Sequence, residues 1–193
     1  MQLKTVLLGI TAAVTLASCA QSPTGRSQLQ LYPSSELNKM GAASYEEMRK
    51  EGKINQDEQV NAYVRCVTDA LVETLPGDYA QMDWEVTVFD EPTVNAFALP
   101  GGYIGVYNGL LETAENQHQL AAVIGHEIGH VIAEHSNERI SSNMLVGLGL
   151  QIGGVIASTQ MDSDEAGLLM AALGIGAQVG VLLPYSRTHE SES

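Results

Sequence analysis

The chain has 193 residues, enough for one domain with a sizeable apolar core. Its 9 basic and 23 acidic residues give a net charge of −14, and no Lys or Arg occurs between Arg65 and Arg139. This charge excludes nucleic acid as a partner and argues against a basic patch as the means of binding anionic lipid.

The first residues have the pattern of a bacterial lipoprotein signal peptide. Lys4 gives a positive start, residues 6–16 are apolar, and small residues precede Cys19 in Leu16-Ala17-Ser18-Cys19. An ordinary signal peptide with an incidental cysteine is the alternative. Resemblance to bacterial lipoproteins implies that residues 1–18 are removed and that Cys19 is the lipidation site. Ala20 at the next position is typical of anchoring at the periplasmic face of the outer membrane.

Two helices are predicted after the anchor. Residues 19–33, rich in Ser, Gln, Thr and Gly, indicate a flexible tether, and residues 34–193 a single folded domain. Ser34 or Ser35 can cap a first helix that runs to about Glu51 and ends at Gly52. A second helix is predicted from about Gln56 to Leu75, before Pro76-Gly77.

The apolar period then changes to that of strands. Trp84, Val86 and Val88 alternate with polar or opposite-facing residues, which predicts a strand with these three on the core side. A second strand over residues 94–99 is followed by Pro100-Gly101-Gly102, which suits a type II turn, and by a returning strand over residues 103–107. The hairpin is either purely structural or an exposed strand that holds an extended peptide.

The pattern His126-Glu127-Ile128-Gly129-His130 places two imidazoles four residues apart. On a helix, residues i and i+4 share a face, so both His side chains can reach one metal ion. Glu127, turned about 100° away, would lie beside that ion as a general base. The alternative is a pair of hydrogen-bonded helical histidines without a metal.

The flanking residues predict the helix that this site needs. Asn116 can act as its N-cap, with Gln119 as the reciprocal partner. An apolar stripe follows, and the two histidines lie off it; the stripe consists of Leu120, Val123, Ile124, Ile128 and Val131. Gly125 and Gly129 each destabilise a helix by about 1 kcal/mol relative to Ala, which predicts that another backbone approaches closely.

Two apolar runs, residues 144–158 and 167–183, follow this helix. Each is shorter than the roughly 20 residues that a membrane-spanning helix needs. The pattern therefore favours a buried helical hairpin packed against the HExxH helix. A membrane hairpin is the alternative.

A catalytic zinc site takes three protein ligands, and the third is not set by spacing. Glu134 lies about 12 Å from His126 along a helix, too far to share the ion. His135 does not fit the metzincin pattern, which requires Gly at Ala133 and a third His at Ser136. The remaining candidates are Asp162, Asp164, Glu165, His189, Glu190 and Glu192.

Three motifs occur in order: residues 95–104, residues 126–130 with His135, and Ser186-Arg187-Thr188-His189-Glu190-Ser191-Glu192. Together they resemble the CAAX prenyl protease family of zinc metallopeptidases, in particular its periplasmic lipoprotein branch of the LoiP and BepA kind. The resemblance implies an α+β zincin-like fold, mostly helical, with a small antiparallel sheet or hairpin beside the HExxH helix.

The resemblance also implies the chemistry. One Zn²⁺ ion would be held by His126, His130 and Glu190, with Glu127 as the general base. A substrate strand would border the cleft, formed by Asn95, Ala96, Phe97, Ala98 and Leu99. The expected function is a metalloendopeptidase that cleaves misfolded outer-membrane or periplasmic proteins. Its expected partners are a protein or peptide substrate and, through Cys19, the membrane.

The last motif departs from the family pattern. It should continue as Glu-x-Glu-Ala-Asp, but Ser193 stands at the Ala position and the sequence stops before the Asp. We therefore expect an incomplete catalytic domain with weakened zinc binding and low activity. The alternative function is a catalytically impaired, zinc-binding or client-binding lipoprotein fragment.

Overall fold

The computed structural model describes residues 19–160, 163–177 and 183–193. Two compact units make up the chain. The central unit comprises residues 33–136 together with Ser193. The terminal unit, in its described part, comprises residues 19–32 and the segments of 137–192. The first 18 residues, which carry the predicted signal peptide, lie outside the described part of the chain.

The central unit begins with the two predicted helices, α1 (Ser34–Glu51) and α2 (Glu58–Val72). Helix α1 ends before Gly52 as predicted, but no side chain caps its start. Helix α2 starts two residues later than predicted because the Asp57 side chain accepts hydrogen bonds from the backbone N–H groups of Gln59 and Val60. A 3₁₀ turn (Gly77–Gln81) then leads to the sheet.

The sheet has three strands, β3 (Glu85–Phe89), β4 (Ala96–Leu99) and β5 (Tyr103–Tyr107), in the order β3-β5-β4. Strands β4 and β5 form the predicted antiparallel hairpin. The Gly102 N–H donates to the Leu99 carbonyl at 3.3 Å, and Gly101 takes φ +97°, as a type II turn requires. Strand β3 pairs with β5 in parallel, so the sheet is mixed rather than wholly antiparallel.

Helices α3 (Asn108–Thr113) and α4 (Gln117–Ile132) complete the central unit. One apolar core joins α2, the sheet and α4. Its fully buried members include Val64, Ile104, Val106, Leu120 and Ile124. In addition to Val88, the residues Thr87 and Phe89 are buried, so both faces of β3 are covered at its end. The predicted alternation of buried and exposed side chains therefore holds only in part.

The terminal unit begins with a two-stranded antiparallel ribbon, β1 (Cys19–Gln21) and β2 (Ser27–Leu29). The prediction of a flexible tether here is wrong for these residues. Ser22 and Gln28 are buried, and the Leu31 N–H donates to the Ser141 hydroxyl at 2.9 Å. Ser, Gln and Gly are common in tightly turned segments as well as in flexible tethers, so the composition of residues 19–33 does not distinguish the two.

Helices α5 (His135–Gln160), α6 (Ser163–Ala177) and α7 (Leu183–Glu192) follow. The α5–α6 pair forms the predicted helical hairpin, with Met170 close to Gly153 and Gly154. It is not the buried hairpin that the apolar runs predicted, since large apolar side chains on both helices are exposed; they include Leu148, Ile152, Val155 and Leu168. By length and composition, residues 135–159 could cross a membrane. The most apolar stretch of this helix has a mean hydropathy of 1.5, and 18% of it is buried within the protein.

Candidate metal centre

Helix α4 carries the HExxH residues, and its start is built as the sequence predicted. The Asn116 side chain accepts hydrogen bonds from the N–H groups of His118 and Gln119 at 3.0 and 3.2 Å. The Gln119 side chain accepts from the Glu115 N–H at 2.8 Å, one residue before the partner of a standard capping box. Leu120, Ile124 and Ile128 face the core, which leaves the histidines on a half-buried face.

The two imidazoles converge as metal ligands do. The Nε2 atoms of His126 and His130 are 3.2 Å apart, and the ring planes are inclined at 81°. Two nitrogens bound to one zinc at about 2.0–2.1 Å with tetrahedral angles would be about 3.3 Å apart. The separation of the two Nε2 atoms therefore suits a shared zinc ion, and Glu127 follows His126 on the same helix; its role as general base stays a prediction.

A third histidine, His135, contacts His130. The Nδ1 atom of His135 lies 2.8 Å from Nδ1 of His130, and only 4% of the His135 residue surface is exposed. One of the two nitrogens donates and the other accepts. Such a bond to the outer nitrogen fixes the ring of a metal-ligating histidine and leaves its Nε2 for the ion. Sequence reasoning weighed His135 only as a ligand and missed this role.

The backbone between the helices explains how His135 reaches His130. Helix α4 ends at Ile132, and Glu134 takes the left-handed conformation at φ +51°. The Ser34 hydroxyl donates to the Glu134 carboxylate at 3.0 Å. The signal available in the sequence was a third histidine five residues after the motif, but the reversal at Glu134 has no glycine to mark it.

The close backbone approach predicted from the helical glycines is confirmed at Gly129. A Cβ atom there would lie 2.9 Å from the Ser193 carbonyl oxygen, closer than van der Waals contact allows. The Ser193 hydroxyl is 3.0 Å from Nδ1 of His126. At Gly125 the nearest group is the Leu71 side chain at 3.8 Å, so the prediction is wrong at that residue.

The predicted substrate strand lies beside this helix. Strand β4 packs against α4 and forms one edge of the three-stranded sheet. Asn95 precedes β4 and is exposed, its carbonyl accepts from the Tyr107 N–H, and Ala96 is buried. Phe97, Ala98 and Leu99 are half-buried. An edge strand offers backbone donors and acceptors to an extended peptide.

The acidic candidates for the third ligand are spread over the terminal unit. Glu190 is exposed on α7 and belongs to a defined helix rather than to a frayed end. Asp164 is exposed on α6, and Asp162 lies outside the described residues. The role of Glu190 as a ligand stays a prediction.

The neighbours of Glu190 on α7, His189 and Glu192, belong to a buried network within the terminal unit. The Arg26 guanidinium donates to both carboxylate oxygens of Glu138 at 2.7 Å and to Glu192 at 2.7 and 3.1 Å. Nε2 of His189 lies 2.8 Å from the Glu138 carboxylate. Burial opposes the ionisation of Glu138, but the hydrogen bonds from Arg26 and His189 outweigh it and hold the pKa of this carboxyl below its ordinary value.

Comparison with known proteins assigns the chain to a family. The model of peptidase family M48 matches residues 53–193. The mitochondrial metalloendopeptidase OMA1 of Bos taurus is 33% identical over 181 residues, which cover 88% of this chain and 34% of that protein. The putative beta-barrel assembly-enhancing protease of Vibrio cholerae is 24% identical over 156 residues, 79% of this chain and 31% of that protein. The chain thus spans about a third of the length of these relatives.

Proposed function

This chain belongs to peptidase family M48, a family of metallopeptidases, and we propose that it is a zinc-dependent metalloendopeptidase. The observation that carries the proposal is the 3.2 Å separation of the Nε2 atoms of His126 and His130, which suits one zinc ion. We propose Glu190 as the third ligand because its motif corresponds to the ligand-bearing motif of the family that the sequence resembles.

Zinc in such a site acts as a Lewis acid that makes water acidic enough to lose a proton near neutral pH. Glu127 takes the proton from the attacking water and delivers it to the leaving amine. His135 fixes the orientation of the His130 ring through the hydrogen bond between their Nδ1 atoms. The edge of β4 holds the substrate backbone, so cleavage depends little on substrate side chains.

The proposal is tested by zinc content and casein cleavage on the purified protein. Glu127→Gln should keep its zinc and lose about 10²–10⁴-fold in rate, as expected for a missing general base. Glu112→Gln makes the same change at an exposed residue of α3 and should cleave like the unmodified chain. Cleavage by Glu127→Gln at the original rate would refute the assignment. Zinc binding without cleavage by the unmodified chain would favour the client-binding alternative.

We further propose that the protein is held at the periplasmic face of the outer membrane by acylation of Cys19 and acts on misfolded proteins there. The support is the sequence Leu16-Ala17-Ser18-Cys19, the likeness to a protein named for beta-barrel assembly in Vibrio cholerae, and a charge of −14 that argues against a basic patch as the means of membrane binding. Replacing Cys19 by Ser should abolish palmitate labelling and release the protein from membranes. Unchanged fractionation would refute the anchor.

A further inference from the structure

The Arg26 side chain binds two carboxylates at once. Its Nη1 and Nη2 atoms each donate at 2.7 Å to Glu138, while Nη2 and Nε donate to Glu192. The side chains of Glu138 and Glu192 are 1% and 6% exposed. Two carboxylates that share a buried site repel each other unless a cation lies between them. The Arg26 guanidinium supplies that charge, with a planar fork that lysine lacks.

Helix α7 is held on both sides of Glu190 by this network. His189 precedes Glu190 and contacts Glu138 at 2.8 Å. Glu192 follows it and receives hydrogen bonds from Arg26 and, at 2.9 Å, from the Ser22 hydroxyl. Residues three apart lie on one helical face, so two contacts on that face fix both the rotation and the axial position of the turn that carries Glu190.

The ribbon is shaped to present Arg26. The Ser22 N–H donates to the Arg26 carbonyl at 2.8 Å, and the Gly25 N–H donates to the Ser22 carbonyl at 2.8 Å. The Ser22 hydroxyl also accepts from the Arg26 N–H at 3.2 Å. Gly25 has φ +85°, which permits the tight turn. Arg26 therefore emerges from a closed turn rather than from a mobile arm.

We propose that Arg26 is a positioning residue for metal binding: the β1–β2 ribbon holds α7 through Glu138 and Glu192, and so presents Glu190 as a ligand. This inference rests on the proposed function, because it takes Glu190 as the third zinc ligand. It gives the segment between the anchor and the catalytic residues a part in the metal site. Groups that orient metal ligands typically contribute 10–100-fold to metal affinity.

The test compares zinc affinity, by competition with a chromophoric chelator, in three variants of the purified chain. Arg26→Gln should bind zinc about 10–100-fold more weakly than the unmodified protein. Arg26→Lys keeps the charge but has three N–H donors and no planar fork, so it cannot replace all four hydrogen bonds to Glu138 and Glu192, and its loss should be intermediate. The matched control is Arg49→Gln, which removes an arginine from an exposed pair with Glu85 and should leave the affinity unchanged.

Two further readouts separate positioning from loss of fold. The visible absorption spectrum of the cobalt-loaded protein, recorded well below the unfolding temperature, should change in Arg26→Gln and not in Arg49→Gln. Hydrogen exchange of the metal-free protein should accelerate in residues 183–192 and stay slow in residues 117–132. Affinity and cobalt spectrum equal to those of the unmodified chain in Arg26→Gln would overturn the inference.

If Arg26→Gln does not fold, Arg26→Lys decides the question, and unchanged zinc affinity in that variant would equally overturn the inference. The absence of zinc binding from the unmodified chain would overturn the proposed function and the inference together. Zinc binding by the unmodified chain that is insensitive to Arg26 would overturn the inference alone.

Discussion

The two units of the chain are stabilised by different means. The central unit has a continuous apolar core in which Ile104, Leu120 and Ile124 are fully buried. The described part of the terminal unit buries polar groups instead, with Glu138, Asn137 and Ser141 each at most 1% exposed. Apolar burial tolerates changes of shape at a moderate cost, whereas a buried charge must keep every partner. We therefore expect the units to respond to mutation in different ways.

The largest effect is expected from Glu138→Ala. Removing one partner of a buried ion pair destabilises by about 3–5 kcal/mol, because it leaves Arg26 and His189 without their shared carboxylate. Urea unfolding should show this loss, and hydrogen exchange should accelerate in residues 19–32 and 183–192. Glu85→Ala removes a carboxylate from an exposed pair and should lose less than about 1 kcal/mol. Equal losses would mean that the buried network is no more important than a surface pair.

Ile124→Ala should have a comparable or smaller effect in the central unit. Truncating a buried Ile typically destabilises by about 2–5 kcal/mol, through lost burial and the cavity left behind. Here faster hydrogen exchange should be confined to the central unit, the reverse of the pattern for Glu138→Ala. Val94→Ala shortens a side chain that is 58% exposed and should change stability by less than about 0.5 kcal/mol. Loss of protection in both units would show that they unfold as one.

Acid should affect the terminal unit through Glu138. Its pKa is lower in the folded protein than its ordinary value of 4.5, because hydrogen bonds from Arg26 and His189 outweigh the burial that opposes ionisation. The stabilisation from the ionised form is thus complete above that value and is lost as the pH falls through the folded pKa. The unfolding midpoints of the unmodified chain and Glu138→Gln should therefore converge below about pH 4.5. A constant difference between them would contradict the shift.

The smallest effect is expected at the start of helix α4. Asn116→Ala removes two hydrogen bonds to backbone N–H groups and should destabilise by about 1 kcal/mol, whereas Asn116→Gly should lose only a few tenths. Thermal unfolding of the two variants checks the difference. Because the cap lies at the first turn and the histidines lie in the third and fourth turns, zinc content should be unaffected in both variants. A stability of Asn116→Ala equal to that of the unmodified chain would mean that the cap contributes nothing here.

The same contrast explains what the sequence could predict. Helix α4 was predicted with its cap and core face because all its determinants lie between Asn116 and Val131. The hairpin was predicted because Pro100-Gly101 specifies its turn locally. The M48 match confirms the metallopeptidase predicted from the motifs, while the CAAX prenyl protease family and its periplasmic lipoprotein branch stay predictions.

Long-range polar contacts left no signal of this kind. Arg26 is 112 residues from Glu138 and 166 from Glu192, and no periodicity connects them. The contact between His130 and His135 was missed because it depends on the left-handed residue Glu134, whose conformation the sequence does not mark. The α5–α6 hairpin was predicted to be buried because its apolar runs are shorter than a membrane-spanning helix needs, but burial depends on what surrounds a helix as much as on its length and composition.

The separation of His189 from Glu138 by 51 residues also sets an order in time. During synthesis at about 5–20 residues per second, His126 and His130 leave the ribosome several seconds before Glu190 does. Arg26 and Glu138 can meet in that interval, but α7 arrives last. If Glu190 completes the zinc site, a growing chain cannot cleave its neighbours or itself before almost all of these 193 residues have been made.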